Sequence, residues 1–247
     1  DNKNDARGMA IKILGVTGKK IMENDDQATT QDFIMINHPV FFVNEPQRYL
    51  SFIEDVNSKS MLKKLKIPFT LGFQGTLNAV KASNSKISNP IQVRYWSMVP
   101  YQLGLGADRQ AVKYSARPCN PNSITIPNKP NHDFLRETLR KNLETSDACM
   151  EFLIQPRTTN KMLVEDSMTE WKESEAPFFQ IATIHIPKQI FDTPEQNKFC
   201  ENLSFTPWHS LPEHRPLGAI NRLRKVIYEK ISTIRHEMND VLKQEPQ

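Results

Sequence analysis

The chain has 247 residues, and its 32 lysines and arginines against 28 aspartates and glutamates give a formal net charge of +4 at pH 7. This mild charge does not indicate a nucleic-acid partner, and the basic residues form no sustained run. No apolar stretch approaches the ~20 residues of a membrane-spanning helix, so we expect no membrane span. A hydrophobic fraction of 38% allows a buried core, in one large domain or two small ones.

Short β-rich segments dominate the first half of the chain. Their apolar patterns predict strands, in chain order, at residues 9–16, 32–43, 91–97 and 111–115. Pro39 divides the second of these segments into two short strands, because proline interrupts a hydrogen-bonded ladder. Residues 24–30 are polar and typical of a turn, and Pro46 begins a helix over residues 47–55.

Helices gather towards the end of the chain. Four prolines between residues 118 and 130 indicate a long irregular loop after the strand at residues 111–115. The elements predicted after it are a helix at residues 132–144, strands at 150–155 and 178–186, a short helix at 195–201, a loop at 207–216 and a long helix at 218–242. Strands first and helices last favour an antiparallel α+β fold over a doubly wound one.

The cysteines and histidines lack the spacing of metal ligands. Cys119, Cys149 and Cys200 lie far apart without a C-x-x-C pair, so we expect free thiols and a reducing compartment. His209 and His214 lie in the loop before the last helix, and we interpret both as residues that shape this loop. No glycine-rich nucleotide loop is present either.

The last predicted helix carries three chemically distinctive side chains along one edge of its apolar stripe. Arg224 and Tyr228 are four residues apart and therefore neighbours, and Arg235 lies about 10 Å further along the same edge. The simplest interpretation is that these long side chains cover the border of an amphipathic helix. The alternative is a phenol held beside a guanidinium, because a nearby cation stabilises phenolate, and phenolate is an iron ligand.

The surrounding sequence resembles the catalase family. Segments similar to catalase segments follow in the same order at residues 5–12 (DARGMAIK), 36–43 (INHPVFFV), 49–53 (YLSFI), 95–97 (YWS), 152–155 with 166–171, and 205–207 (FTP). Arg224, Tyr228 and Arg235 resemble the proximal motif R-x-x-x-Y with an arginine seven residues after the tyrosine, although the residues between Tyr228 and Arg235 differ from the family pattern. Residues 208–224 are more similar to the compact bacterial branch, which includes peroxidase-like and allene-oxide-synthase-like relatives.

The resemblance implies one catalase-like domain over residues 1–247, with an antiparallel eight-stranded barrel and helices around a haem b. The family's first third is expected upstream of Asp1, which would leave the barrel incomplete at its N-terminus. Tyr228 is then the expected iron ligand, next to Arg224. The remaining haem contacts that the resemblance implies are Arg235 at a propionate, Phe205 on the proximal face, and Phe41, Phe42 and Tyr49 on the distal face.

Two departures from the family bear on activity. The distal histidine of catalases is also expected upstream of Asp1. The family's distal asparagine aligns with Ile36, and its neighbour Asn37 is expected to point to the opposite face of a strand. We therefore expect a haem-dependent oxidoreductase that processes hydrogen peroxide or an organic hydroperoxide. A non-catalytic haem-binding protein and a fatty-acid hydroperoxide isomerase are the alternatives.

The resemblance leaves a homo-oligomer open as a further partner beside the small peroxide. The free-thiol interpretation slightly favours the cytoplasm over the periplasm. A signal peptide, if there is one, would lie upstream of Asp1 and outside this sequence.

Overall fold

A computed structural model of the chain describes residues 3–23, 28–122, 125–242 and 246. One sheet organises this part of the chain. Its strands are β1 (Gly8–Leu14), β2 (Thr30–Ile36), β3 (Tyr95–Trp96), β4 (Tyr101–Leu103), β5 (Gln110–Pro118), β6 (Ala148–Pro156) and β7 (Phe179–Ile186). They are antiparallel in the order β1-β2-β3-β5-β6-β7, and β4 also pairs with β5. The sheet curls into half of a barrel.

Five α-helices occur among the described residues. They are α1 (Pro46–Asn57), α2 (Met61–Ser83), α3 (Phe134–Thr145), α4 (Pro194–Asn202) and α5 (Ala219–Met238). The predicted α+β class is confirmed, and no helix of the described part is long and apolar enough to cross a membrane.

The core lies against one face of the sheet, where alternate residues of neighbouring strands point inward. Phe33 of β2, Tyr114 of β5 and Phe152 of β6 meet there. Their ring centroids are 4.9–5.7 Å apart. Edge-to-face and offset contacts at this spacing add to the free energy gained by burying the rings. These rings thus join β2, β5 and β6 on the inner face of the sheet.

Most predicted elements are confirmed within a few residues, and two predicted strands are wrong in extent. The strand expected over residues 32–43 ends at Ile36, and residues 37–45 are irregular. The strand expected at 91–97 is reduced to Tyr95–Trp96, because Pro90 and the side chain of Asn89, which accepts from the Ile91 N–H, begin a 3₁₀ turn. Part of the predicted turn at 24–30 lies outside the described residues, since these exclude 24–27.

Helix α2 was not predicted. Pro68 and Gly72 interrupt its sequence, and Gly72 has a φ of 69°, which divides the helix at a kink. Its exposed face is also apolar, so the polar and apolar periodicity that reveals most surface helices is missing. Helix α5 ends at Met238, four residues before the predicted end.

The prediction of free thiols is wrong for two of the three cysteines. Cys119 and Cys149 form a disulfide, with Cα atoms 5.5 Å apart, whereas Cys200 is free and exposed. The pairing follows from the sheet, because Pro118 of β5 lies opposite Met150 of β6 and thereby aligns the residues next to them. The thiol argument for the cytoplasm therefore no longer holds.

Candidate functional site

The predicted pair on α5 is formed. Nη2 of Arg224 donates to the phenol oxygen of Tyr228 at 3.3 Å, and the guanidinium carbon lies 5.2 Å from the centroid of the Tyr228 ring. Nη1 of the same guanidinium contacts Tyr101 Oη at 3.4 Å and donates to Asn221 Oδ1 at 3.2 Å. Burial opposes the charge of Arg224, but the Tyr101 and Tyr228 phenols outweigh it and raise the pKa of Arg224. The pair therefore contains a permanent, buried cation.

The first turn of α5 is held in place by hydrogen bonds from outside the helix. The buried amide of Asn221 donates to the carbonyl of Pro100 at 3.0 Å, and the indole of Trp208 donates to the Asn221 carbonyl at 2.7 Å. At the helix start, Glu165 accepts from the backbone N–H of Ala219 at 2.7 Å. These contacts fix the rotation of α5 and with it the direction of the Arg224 edge.

The aromatic wall, defined here as Phe41, Phe42, Tyr49 and Phe52, lies near α5, because α1, which carries Tyr49 and Phe52, contacts α5. Neighbouring ring centroids of the wall are 4.4–6.1 Å apart. Burial raises the pKa of Tyr49, with a further increase from Tyr228 and a decrease from Arg224. Tyr49 is thus close enough to Arg224 and Tyr228 for both residues to affect its pKa. The structure brings the expected distal aromatic residues and the expected iron ligand into one region.

Helix α2 supports the aromatic wall from behind. The buried amide of Asn78 donates to the carbonyls of Phe41 and Met168, both at 3.0 Å. The backbone N–H of Phe41 donates to Ser167 at 2.8 Å. At Gly75 a Cβ atom would lie 2.5 Å from the carbonyl oxygen of Phe42, so only glycine allows this close approach. The unpredicted helix therefore positions predicted site residues.

Tyr228 also lines a cavity of about 710 Å³. Phe205 and Tyr228 both line it, so the two residues expected on the proximal side share the wall of one cavity. Its polar wall contains Ser232, which shares a 2.5 Å hydrogen bond with Ser204, and His236, whose Nε2 contacts the Asn202 carbonyl at 2.8 Å. A volume of this size is in the range of small-molecule pockets.

Arg235 lies beside the segment that leads to Phe205. Its Nη2 donates to the carbonyl of Leu203 and contacts Ser204 Oγ at 3.4 Å. Its Nε is buried and has no hydrogen-bond partner among the described residues. A buried N–H of a guanidinium without an acceptor is well suited to an anionic group of a ligand.

Ile36 and Asn37 differ in their surroundings, but Asn37 lies just beyond the end of β2, so the expected alternation along a strand does not apply to it. Ile36 pairs with Trp96 and packs against the core. The amide of Asn37 is engaged at both ends, because Oδ1 accepts from the Arg7 N–H at 2.7 Å and Nδ2 donates to Ser85 Oγ at 2.8 Å. Asn37 therefore joins this loop to the segment before β1 and to the segment after α2.

Sequence reasoning missed a buried ionic network behind Phe205. Asp32 Oδ1 lies 2.7 Å from Lys12 Nζ, and Asp32 Oδ2 lies 3.0 Å from His209 Nδ1 and accepts from the Thr206 N–H at 2.9 Å. All three charged or titratable side chains are at most 6% exposed. The network confirms that His209 shapes the loop before α5. The only sequence signal was an aspartate directly before the apolar residues 33–36.

Solved structures with a similar fold are catalases. A fungal catalase superposes with a TM-score of 0.72 at 16% sequence identity, over 97% of this chain and 49% of that protein. Catalase A from Saccharomyces cerevisiae superposes with a TM-score of 0.66, also at 16% identity, over 95% of this chain and 50% of that protein. The chain has a catalase-type fold. It spans about half the length of these two catalases.

Comparisons at the level of sequence found no match. No family model matches the chain, and no curated protein matches it. The likeness to catalases is therefore a likeness of fold.

The residues around Tyr228 suit a haem in this catalase-type fold. Tyr228 offers a phenol oxygen, the aromatic wall offers apolar surface, and the unpaired Nε of Arg235 suits a carboxylate. Elsewhere in the described ranges, no group of three His, Cys, Asp or Glu side chains could hold a metal ion.

Proposed function

We propose that the chain is part of a haem-dependent, catalase- or peroxidase-like oxidoreductase that processes hydrogen peroxide or an organic hydroperoxide. The observation that carries this proposal is the hydrogen-bonded pair of Arg224 and Tyr228 on α5 within a catalase-type fold. A tyrosine is the axial iron ligand of catalases, and its anionic form is the better donor to iron(III).

Tyr228 would hold the iron, and Arg224 would stabilise the anionic form of this ligand. The Arg224 guanidinium is cationic, buried and anchored on Tyr101 and Asn221, so it donates to the Tyr228 oxygen without having to be reorganised. The haem, when bound, supplies the chemistry that cleaves the peroxide O–O bond, and the protein tunes and positions it.

The other site residues would enclose the cofactor. Phe41, Phe42 and Tyr49 offer apolar surface that excludes water, and Phe205 lines the cavity that Tyr228 also lines. Arg235 would pair with a propionate through its unpaired Nε.

Ile36 limits what this site can do with hydrogen peroxide. It has no hydrogen-bond donor, and the amide of Asn37 is already engaged by Arg7 and Ser85. One donor to bound peroxide is worth about 1.5 kcal/mol or more, roughly tenfold in rate. This observation favours weak dismutation. The second candidate function is therefore haem binding without turnover, or turnover of an organic hydroperoxide.

The ferric absorption spectrum of the chain mixed with haemin tests the proposal. We expect a high-spin spectrum of the phenolate-ligated type in the wild type and its loss in Tyr228→Phe, which keeps the ring but removes the donor oxygen. Tyr95→Phe is the matched control, because the Tyr95 hydroxyl only donates to the Pro90 carbonyl, and it should leave the spectrum unchanged. An identical spectrum in Tyr228→Phe would overturn the ligand assignment.

Peroxide consumption by the same haem-loaded samples separates the two candidates. Turnover of hydrogen peroxide or of an alkyl hydroperoxide that falls in Tyr228→Phe supports an enzyme. A phenolate-type spectrum without any peroxide consumption supports a haem-binding protein.

A further inference from the structure

The outer face of α2 carries a row of exposed apolar side chains in each half of the helix, on the two sides of the Gly72 kink. Phe69 and Phe73 are both 87% exposed. The other members of this row, which we call the α2 apolar row, are Met61, Leu62, Leu65, Leu77 and Val80. Single exposed apolar residues are normal on protein surfaces, but a contiguous patch of large ones marks an interaction site.

The α2 apolar row is not the side of the helix that faces the core. Before the kink at Gly72, Leu71 is buried, and at 100° per residue it lies roughly opposite Leu62 and Phe69. After the kink, Gly75, Asn78 and Ala82 are buried on the side away from the row. Each half of α2 thus has a packed inner face and a second apolar face that nothing among the described residues covers.

Basic residues accompany the apolar row, and acidic ones are absent from α2. The helix contains Lys63, Lys64, Lys66 and Lys81 and no Asp or Glu. On the helical wheel Lys64 and Lys66 lie on the two flanks of the row. Exposed phenylalanine and leucine bordered by lysine are typical of helices that lie in the interface of an anionic membrane.

We propose that the outer face of α2 docks on an anionic phospholipid surface. Phe69 and Phe73 would enter the boundary between headgroups and acyl chains, while the flanking lysines pair with lipid phosphates. A second copy of the chain is a poorer occupant, because face-to-face association would bring two sets of four lysines together without any acidic partner on α2. The proposal does not depend on haem binding, but docking would place the aromatic wall, which Asn78 holds from behind, close to the lipid.

Co-sedimentation of the full 247-residue chain with vesicles tests the docking. We expect the wild type to bind vesicles of phosphatidylcholine with about one third phosphatidylserine and to bind pure phosphatidylcholine much more weakly. Phe69→Gln with Phe73→Gln should lower the partition coefficient at least about tenfold. Lys63→Gln, Lys64→Gln and Lys66→Gln together should lower binding to the anionic vesicles roughly fivefold per lysine, and added salt should have a similar effect.

Matched variants elsewhere on the surface control for nonspecific hydrophobic and electrostatic binding to the vesicles. Phe179→Gln with Phe199→Gln removes two phenylalanines that are each 53% exposed, and it should leave vesicle binding unchanged. Lys161→Gln, Lys172→Gln and Lys198→Gln remove three exposed lysines far from α2 in sequence and should have less than half the effect of the α2 triple variant. Circular dichroism of every variant should match the wild type, since the substituted side chains are exposed.

Three results would overturn the proposal. The first is an absence of binding to anionic vesicles. The second is binding that the α2 and control variants reduce equally. The third is concentration-dependent dimerisation that is lost in the Phe69 and Phe73 variant while vesicle binding is absent, which would make the α2 apolar row an interface between copies.

Discussion

The guanidinium of Arg224 contacts Tyr228 and Tyr101 at the same time, with Nη2 at 3.3 Å from one phenol oxygen and Nη1 at 3.4 Å from the other. One phenol belongs to α5 and the other to β4 of the sheet, so a single buried cation joins the helix that carries the candidate ligand to the barrel half. The cation therefore has both a structural and an electronic effect.

Replacement of Arg224 by alanine should reveal both effects. Tyr101 Oη and Asn221 Oδ1 lose their buried donor, and each unsatisfied group costs about 1–3 kcal/mol. Urea unfolding should therefore show a loss of roughly 2–4 kcal/mol. In haem-loaded protein the ligand should stay in place but with a shifted ferric spectrum. Arg224→Lys is the control that keeps the charge but not the fork of donors. An unchanged unfolding free energy in Arg224→Ala would contradict this role.

The Lys12–Asp32–His209 network should be a major source of stability. Asp32→Asn removes the buried carboxylate that Lys12, His209 and the Thr206 N–H share, and removing one partner of a buried ion pair costs roughly 3–5 kcal/mol. Glu151→Gln is the matched control, because the Arg117–Glu151 pair also lies on the sheet but Arg117 is 46% exposed, and such pairs are worth up to about 1 kcal/mol. Equal unfolding free energies for the two variants would show that the network is dispensable.

The disulfide should stabilise the sheet through the 30-residue segment that it closes. Cys119→Ser with Cys149→Ser should lower the free energy of unfolding by about 2–4 kcal/mol, because the unfolded chain regains the entropy of the open loop. Cys200→Ser should change it by less than about 0.5 kcal/mol, since this thiol is exposed and unpaired. Urea unfolding with and without a reducing agent checks both. Insensitivity of the wild type to reduction would count against the disulfide.

Lys113 should make stability rise with pH in the alkaline range. Burial lowers the pKa of Lys113 from 10.5 to about 8, while Asp166 and Glu170 partly counteract this effect, and its Nζ has no hydrogen-bond partner among the described residues. Between pH 8 and 10.5 the unfolded chain therefore binds more protons than the folded one, and the free energy of unfolding increases with pH. Below pH 8 the full penalty of the buried charge, up to about 3 kcal/mol, is present.

Lys113→Met isolates this contribution from other groups that titrate in the same range. The variant should be more stable than the wild type at pH 7 by about 1–2 kcal/mol, because loss of the contact between Lys113 and Trp171 offsets part of the gain. The difference between variant and wild type should shrink as the pH rises to 10. Urea unfolding at pH 7, 8.5 and 10 measures it, and a constant difference would refute the buried-charge argument.

Local geometry was readable from the sequence. Residues four apart on a helix are always neighbours, so the contact between Arg224 and Tyr228 followed from the helical pattern of residues 218–242 alone. Strands could be predicted in a similar way, because side chains alternate between the two faces along any strand. This holds for the strands predicted at residues 9–16, 111–115, 150–155 and 178–186. The resemblance to catalases rested on short motifs in the right order, and the fold comparison confirms the architecture that these motifs implied.

Contacts between distant segments were decided only by the tertiary structure. Asp32 and His209 are 177 residues apart, and nothing in either local sequence indicates that they meet. Cys119 and Cys149 pair because the register of β5 and β6 aligns them. The sequence by itself thus determined the helix edge with its tyrosine and two arginines. The fold decided which phenol, aromatic wall and ionic network surround that edge, because burial and charge pairing depend on packing rather than on sequence spacing.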